Sequence, residues 1–162
     1  MNIARRAVLA SSRAVQRRGI ITVEKPFYTA NAVALGGGRN GTARLEPGKG
    51  EQPLEVTMAS PPSHAGHNPE QMLALGYGGC FLGALRLVAK QKGVTLSEDV
   101  SVKTSVTLGQ SAGIPGFALK VDILVSGLGD VADKDGLVAA AHDFCPYSRG
   151  FRQGIEATAK AE

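Results

Sequence analysis

The chain has 162 residues, which suits one domain with a core of its own. Hydrophobic residues at 43% and charged residues at 20% are the usual proportions of a soluble globular protein. The net charge of +4 would suit a nucleic-acid surface, but its placement argues against one: Arg5, Arg6, Arg13, Arg17 and Arg18 lie in the first 23 residues, which hold no acid, and the other thirteen basic side chains face fourteen acids.

The N-terminal stretch MNIARRAVLASSRAVQRRGIIT combines arginine, serine and alanine and lacks a long apolar core. That is the composition of a mitochondrial targeting peptide, so residues 1–22 are expected to be a leader and residues 23–162 the folded domain. Arg18-Gly19-Ile20 resembles a matrix processing site, with cleavage near Ile20 or Ile21 and a matrix address as the expectation.

FYTANAVAL then alternates as a strand, GGGRNG (36–41) turns, and TARLE returns as the second arm of a hairpin. PLEVTM reads as a third strand and ASPPSHAGH as a loop. Asn68 is a good N-cap, Pro69 suits the first helical position, and Glu70 suits the positive end of the dipole. The helix should run to about Lys92 and stop at Gly93. Between Met72 and Ala89 only Arg86 is charged, so the helix should be buried nearly all round in a soluble core; the stretch barely reaches membrane-spanning length. VSVKTSVTLGQ and FALKVDILVSG form a strand pair around the turn SAGIPG. DVADKDGLVAAAHDFC reads as a second helix with Val131, Leu137, Val138 and Ala141 inward, stopped by Pro146, and GIEATAKA as a last strand. The order β-β-β-α-β-β-α-β is α+β.

Within the long helix, Gly76, Gly78, Gly79 and Gly83 crowd around Cys80. Each interior glycine costs a helix about 1 kcal/mol against alanine, about 4 kcal/mol in all. The return for that is close packing of a second helix, the chain's own or a partner's, and access to the sulfur. Cys80 and Cys145 are far apart in sequence and form no Cys-x-x-Cys motif. Either thiol can be a small buried hydrophobe. As a nucleophile Cys80 must ionise, and burial opposes this, so a cation is required. Arg39 in GGGRNG is the candidate. Glu70 lies too far along the helix to touch Cys80, but its carboxylate can grip one edge of a guanidinium and leave the other for a thiolate. Cys145 would be a resolving thiol, although spacing does not establish that contact. His64 and His67 make a weak metal pair in a loop, and no Walker loop, dinucleotide fingerprint or nucleophile elbow is present.

NPEQMLALGYGGCFLGAL, the later CPYS and the upstream GGRNG resemble the organic hydroperoxide resistance (Ohr) family of the OsmC superfamily, over roughly residues 27–160. The resemblance implies a thiol peroxidase that reduces organic hydroperoxides to alcohols. It also implies an intertwined homodimer with long central helices wrapped by two sheets. Cys80 would be the peroxidatic thiol, Cys145 the resolving thiol, and Arg39 with Glu70 the activating pair. Dihydrolipoamide or a lipoylated protein would be the external reductant, with no bound cofactor. After CPYS the family usually continues Asn-Ala-Thr-Arg-Gly-Asn; this chain has RGFRQG and keeps only Arg152 in place. Phe81, Leu82, Phe117 and Phe144 are candidates to receive the alkyl part of a substrate. The competing readings are a redox sensor using the same cysteines and a passive carrier of apolar ligands.

Overall fold

The computed structural model describes residues 19–161. Most of the expected leader therefore lies outside the described residues. Three short strands come first: β1 (Ala32–Leu35), β2 (Thr42–Leu45) and β3 (Glu55–Thr57). They pair antiparallel in the order β1-β2-β3, with Leu35 opposite Thr42 and Ala43 opposite Val56. The β1–β2 turn needs its glycines: Gly36 and Gly38 have φ of 66° and 59°, and a Cβ on Gly41 would collide with the Leu35 carbonyl. A 3-10 turn at Gly38–Asn40 carries Arg39 at the tip.

Helix α1 (Pro69–Gln91) starts as its sequence dictates. The Asn68 side chain accepts from the Gln71 N–H at 2.9 Å while the Asn68 N–H donates to the Gln71 side chain at 2.9 Å, a complete capping box. The helix ends at Lys92, and Gly93 follows with φ 69°. Strands β4 (Ser101–Gln110) and β5 (Phe117–Ser126) form a ten-rung hairpin with Val102 opposite Val125 and Val106 opposite Val121. Helix α2 (Lys134–Phe144) begins later than the sequence suggests because Asp133 caps it, accepting from the Gly136 N–H at 2.8 Å.

The core lies between α1, the β4–β5 hairpin and α2. Tyr77, Phe81, Ala84, Leu85, Val88 and Ala89 form the buried face of α1, and Leu137 and Ala141 answer from α2. Val131 and Val138 pack against this cluster as expected. The expectation of all-round burial needs correction for the single chain. Leu75 is 71% exposed, Leu87 43%, and Gly79 and Gly83 between them face open space. By length and composition α1 could cross a membrane. Its capped start and its packing against β4 and α2 are those of a core helix instead.

The C-terminus also differs from the expected order. CPYSRGFRQ does not lead into a strand; Pro146–Gln153 form a third helix, α3. Pro146 stops α2 and occupies the first position of the next helix, where a missing N–H is harmless. Of GIEATAKA only Ile155 pairs, in a single bridge with Ile21.

Candidate active site

Cys80 Sγ lies 3.5 Å from Cys145 Sγ, joining positions 65 residues apart. Both thiols are free; Cys145 is fully buried and Cys80 only partly. A disulfide is about 2.05 Å long, so the sulfurs need approach by only about 1.5 Å to bond. Cys145 owes its place to the corner between two helices. Its N–H closes α2 on the Ala141 carbonyl at 2.8 Å, and its carbonyl accepts the Arg149 N–H of α3 at 3.0 Å. Its extended backbone (φ −62°, ψ 124°) is the conformation that a following proline favours. Arg152 clamps the corner: it donates to the Asp143 carboxylate at 2.8 Å, the His142 carbonyl at 3.0 Å and the Ser148 carbonyl at 3.3 Å.

The glycines of α1 answer to different neighbours. A Cβ on Gly76 would sit 3.4 Å from the Tyr147 hydroxyl, and one on Gly78 would sit 3.2 Å from Thr104 Oγ1 on β4. Those two glycines bring α3 and β4 close to α1. Gly79 and Gly83 meet nothing of their own chain. They leave the helix open beside Cys80.

Burial raises the Cys80 thiol above its ordinary pKa, and the hydrogen bond with Cys145 raises it further. The Tyr147 backbone N–H, in the first turn of α3, acts the other way. In the single chain, then, Cys80 is held as a thiol and is a poor nucleophile at neutral pH.

Arg39 and Glu70 meet as an ion pair. Arg39 grips Glu70 through two parallel bonds, Nη1 to Oε1 at 3.0 Å and Nη2 to Oε2 at 2.6 Å. The Arg39 side chain is 41% exposed and that of Glu70 14%. The bond to Arg39 holds the Glu70 carboxyl below the usual carboxylate range against a modest opposing effect of burial, and Glu70 raises the Arg39 guanidinium. The pair borders an open groove of about 710 Å³ with Ala74, Val106 and Leu108 on its walls. It is not among the groups that shift Cys80. Ten residues of helix separate Glu70 from Cys80, about 15 Å along the axis. The four residues thus form two half-sites, a sulfur pair and an ion pair, that one chain does not bring together.

The apolar candidates do not share one cavity. Phe81 is 1% exposed and packs in the core near the His142 ring. Leu82 lines a groove with Met72, Leu75 and Gly79. Phe117 is 77% exposed at the start of β5, and Phe144 is 45% exposed at the end of α2. His67 serves through its backbone, donating to the Thr57 carbonyl and accepting from the Ala59 N–H.

Sequence reasoning passed over Tyr77 and Ser148, the buried polar contact between α1 and α3. The available signal was a tyrosine within an otherwise apolar helix, whose hydroxyl must find a partner when buried.

A sequence profile described as "OsmC-like protein" matches residues 62–160. The "Organic hydroperoxide resistance protein" of Xanthomonas axonopodis pv. citri is 39% identical over 140 residues, covering 83% of this chain and 94% of that protein. The "Organic hydroperoxide resistance protein OhrB" of Bacillus subtilis is 34% identical over 131 residues, 80% of this chain and 94% of its own length. The crystal structure of OhrB matches with a TM-score of 0.67 at 33% identity, covering 81% of this chain and 96% of that one. These relatives are bacterial, and bacteria have no mitochondrial matrix. The matrix address expected from the arginine-rich start is corrected on that finding. Basic, acid-free composition does not by itself specify a compartment. Profile, sequence and fold agree, and the chain belongs to the organic hydroperoxide resistance (Ohr) family of the OsmC superfamily.

Proposed function

We propose that the protein is a cysteine-based peroxidase that reduces organic hydroperoxides to alcohols. The observation that carries this reading is the 3.5 Å approach of Cys80 and Cys145. The Cys80 thiolate attacks the distal peroxide oxygen, the O–O bond breaks, and the alkoxide leaves and takes a proton. Cys80 is now a sulfenic acid. Cys145 sulfur attacks it, the S–O bond breaks, water leaves, and a disulfide forms. An external dithiol, dihydrolipoamide or a lipoylated protein, restores both thiols by two exchanges and becomes a disulfide itself.

The remaining requirement is a cation at Cys80, and a second copy of the chain supplies it. Leu75, Gly79, Gly83 and Leu87 recur every fourth residue as an exposed stripe on α1. Leu35, Leu45 and Leu54 on and beside the N-terminal sheet are also 39–52% exposed. A homodimer in which the partner helix crosses this stripe would cover both surfaces. It would also carry the partner's Arg39–Glu70 pair toward Cys80. The guanidinium would then stabilise the thiolate and the charge moving onto the departing alkoxide.

Peroxide consumption by the full chain, with a lipoamide or a thioredoxin system as reductant, tests the reading. Turnover is expected with lipoamide, none with Cys80→Ser, and a single oxidation without recycling with Cys145→Ser. Full activity in Cys80→Ser would overturn the scheme.

A further inference from the structure

Helix α3 carries the resolving cysteine at its N-cap, yet little apolar surface seats it. It has eight residues, and its one buried side chain is a serine, Ser148. Ser148 meets Tyr77 of α1, whose phenol donates to the serine hydroxyl at 2.8 Å. Ser148 is fully buried and Tyr77 is 2% exposed. The Tyr77 ring stacks on Phe151 at 5.5 Å between centroids and 19° between planes, and it meets Tyr147 edge-on at 5.5 Å. Burial raises the phenol above its ordinary pKa, so it remains a donor through neutral pH.

The spacing links this contact to the sulfurs. Tyr77 and Cys80 are three residues apart on α1, and Cys145 and Ser148 are three apart at the start of α3. The α1 pair shares a helix face, whereas Cys145 is the N-cap of α3 and Ser148 lies in its first turn. Two rungs one turn apart therefore join the helices: Tyr77–Ser148 at 2.8 Å and Cys80–Cys145 at 3.5 Å.

We propose that Tyr77 and Ser148 form a latch that fixes the register of α3 on α1 and so sets how fast Cys145 captures oxidised Cys80. Both are positioning residues, and the inference rests on the peroxidase reading above. The step they govern is attack of the Cys145 sulfur on the Cys80 sulfenic acid, with S–O cleavage and release of water. It competes with a second peroxide, which would carry the sulfenic acid on to sulfinic acid. A misplacement of about 1 Å costs such a step about a hundredfold.

The test is a single turnover of the reduced full chain with tert-butyl hydroperoxide. Mass spectrometry reads sulfenic acid as a dimedone adduct and disulfide as loss of both thiols. Wild type is compared with Tyr77→Phe, Ser148→Ala and the double variant. The ratio of disulfide closure to Cys80 oxidation is expected to fall about tenfold or more in all three. The yield of sulfinic acid under excess peroxide rises with it. The double variant separates the latch from mere stability. Removing both hydroxyls leaves no buried group unpaired, so its melting temperature recovers relative to the single variants while closure stays slow. Closure at the wild-type ratio in the double variant overturns the latch. A wild type that forms no Cys80–Cys145 disulfide overturns the peroxidase reading itself, and the latch with it.

Discussion

The two half-sites are built in contrasting ways. The sulfur pair sits where α1, α2 and α3 converge, with Cys145 and Ser148 wholly buried and Arg152 tying the corner together. The Arg39–Glu70 pair sits at the open end of α1, on a glycine turn of a small sheet whose leucines face out. The first region is finished within one chain; the second is assembled but remote from the thiol it would activate. In one chain, burial raises the pKa of the thiol that would be the nucleophile. We propose that activation waits on a partner, so that reactivity and dimerisation are coupled.

The severest way to break this contrast is Cys80→Ser, which should lower turnover by about 10⁴-fold or more, measured as hydroperoxide consumption. Next, Arg39→Ala should lower the oxidation rate by about 10²–10³-fold and move the pH profile of Cys80 alkylation upward, because the thiol keeps the burial that raises it and loses the cation. An unmoved profile would remove Arg39 from the mechanism. Leu85→Ala, in the finished region, should destabilise by about 2–5 kcal/mol in denaturant unfolding. Leu75→Glu, on the exposed stripe, should instead leave chain folding largely intact and shift sedimentation toward the monomer, with the same upward move of the Cys80 profile. A Leu75→Glu protein that stays dimeric would sink the crossing proposed for α1.

The smallest effect concerns pH. Glu70 has a folded pKa below its unfolded one, so its contribution to stability is present above the unfolded value and is lost as pH falls through the folded value. The stability advantage of wild type over Glu70→Gln should therefore shrink at acid pH and vanish below the carboxylate range. An advantage that grows on acidification would contradict the ion pair as the cause.

Much of the framework was legible in the chain. Asn68-Pro69-Glu70 announces a helix start through capping chemistry, and the structure has that start. The β4–β5 pair was legible because valines alternate along both strands. The reading failed at Pro146, whose helix-stopping role masked its fitness to begin α3, and at GIEATAKA, whose alternation found only Ile21 as a neighbour. An aromatic beside a cysteine reads the same whether it faces substrate or core, so the sequence alone does not place Phe81 in the core, where it is 1% exposed. The meeting of the two cysteines was chemically reasonable but depended on tertiary packing that spacing does not encode. In the RGFRQG segment after CPYS, Phe151 stacks on Tyr77.

The central claim is that each working site combines the sulfurs of one chain with the guanidinium of another. Mixed dimers of Cys80→Ser chains with Arg39→Ala chains test it directly. Each variant alone is inactive or nearly so, but a mixed dimer holds one site with an intact Cys80 facing an intact Arg39. Recovery of about half the wild-type rate per mixed dimer is the predicted result; mixed dimers no more active than the parent variants would contradict it.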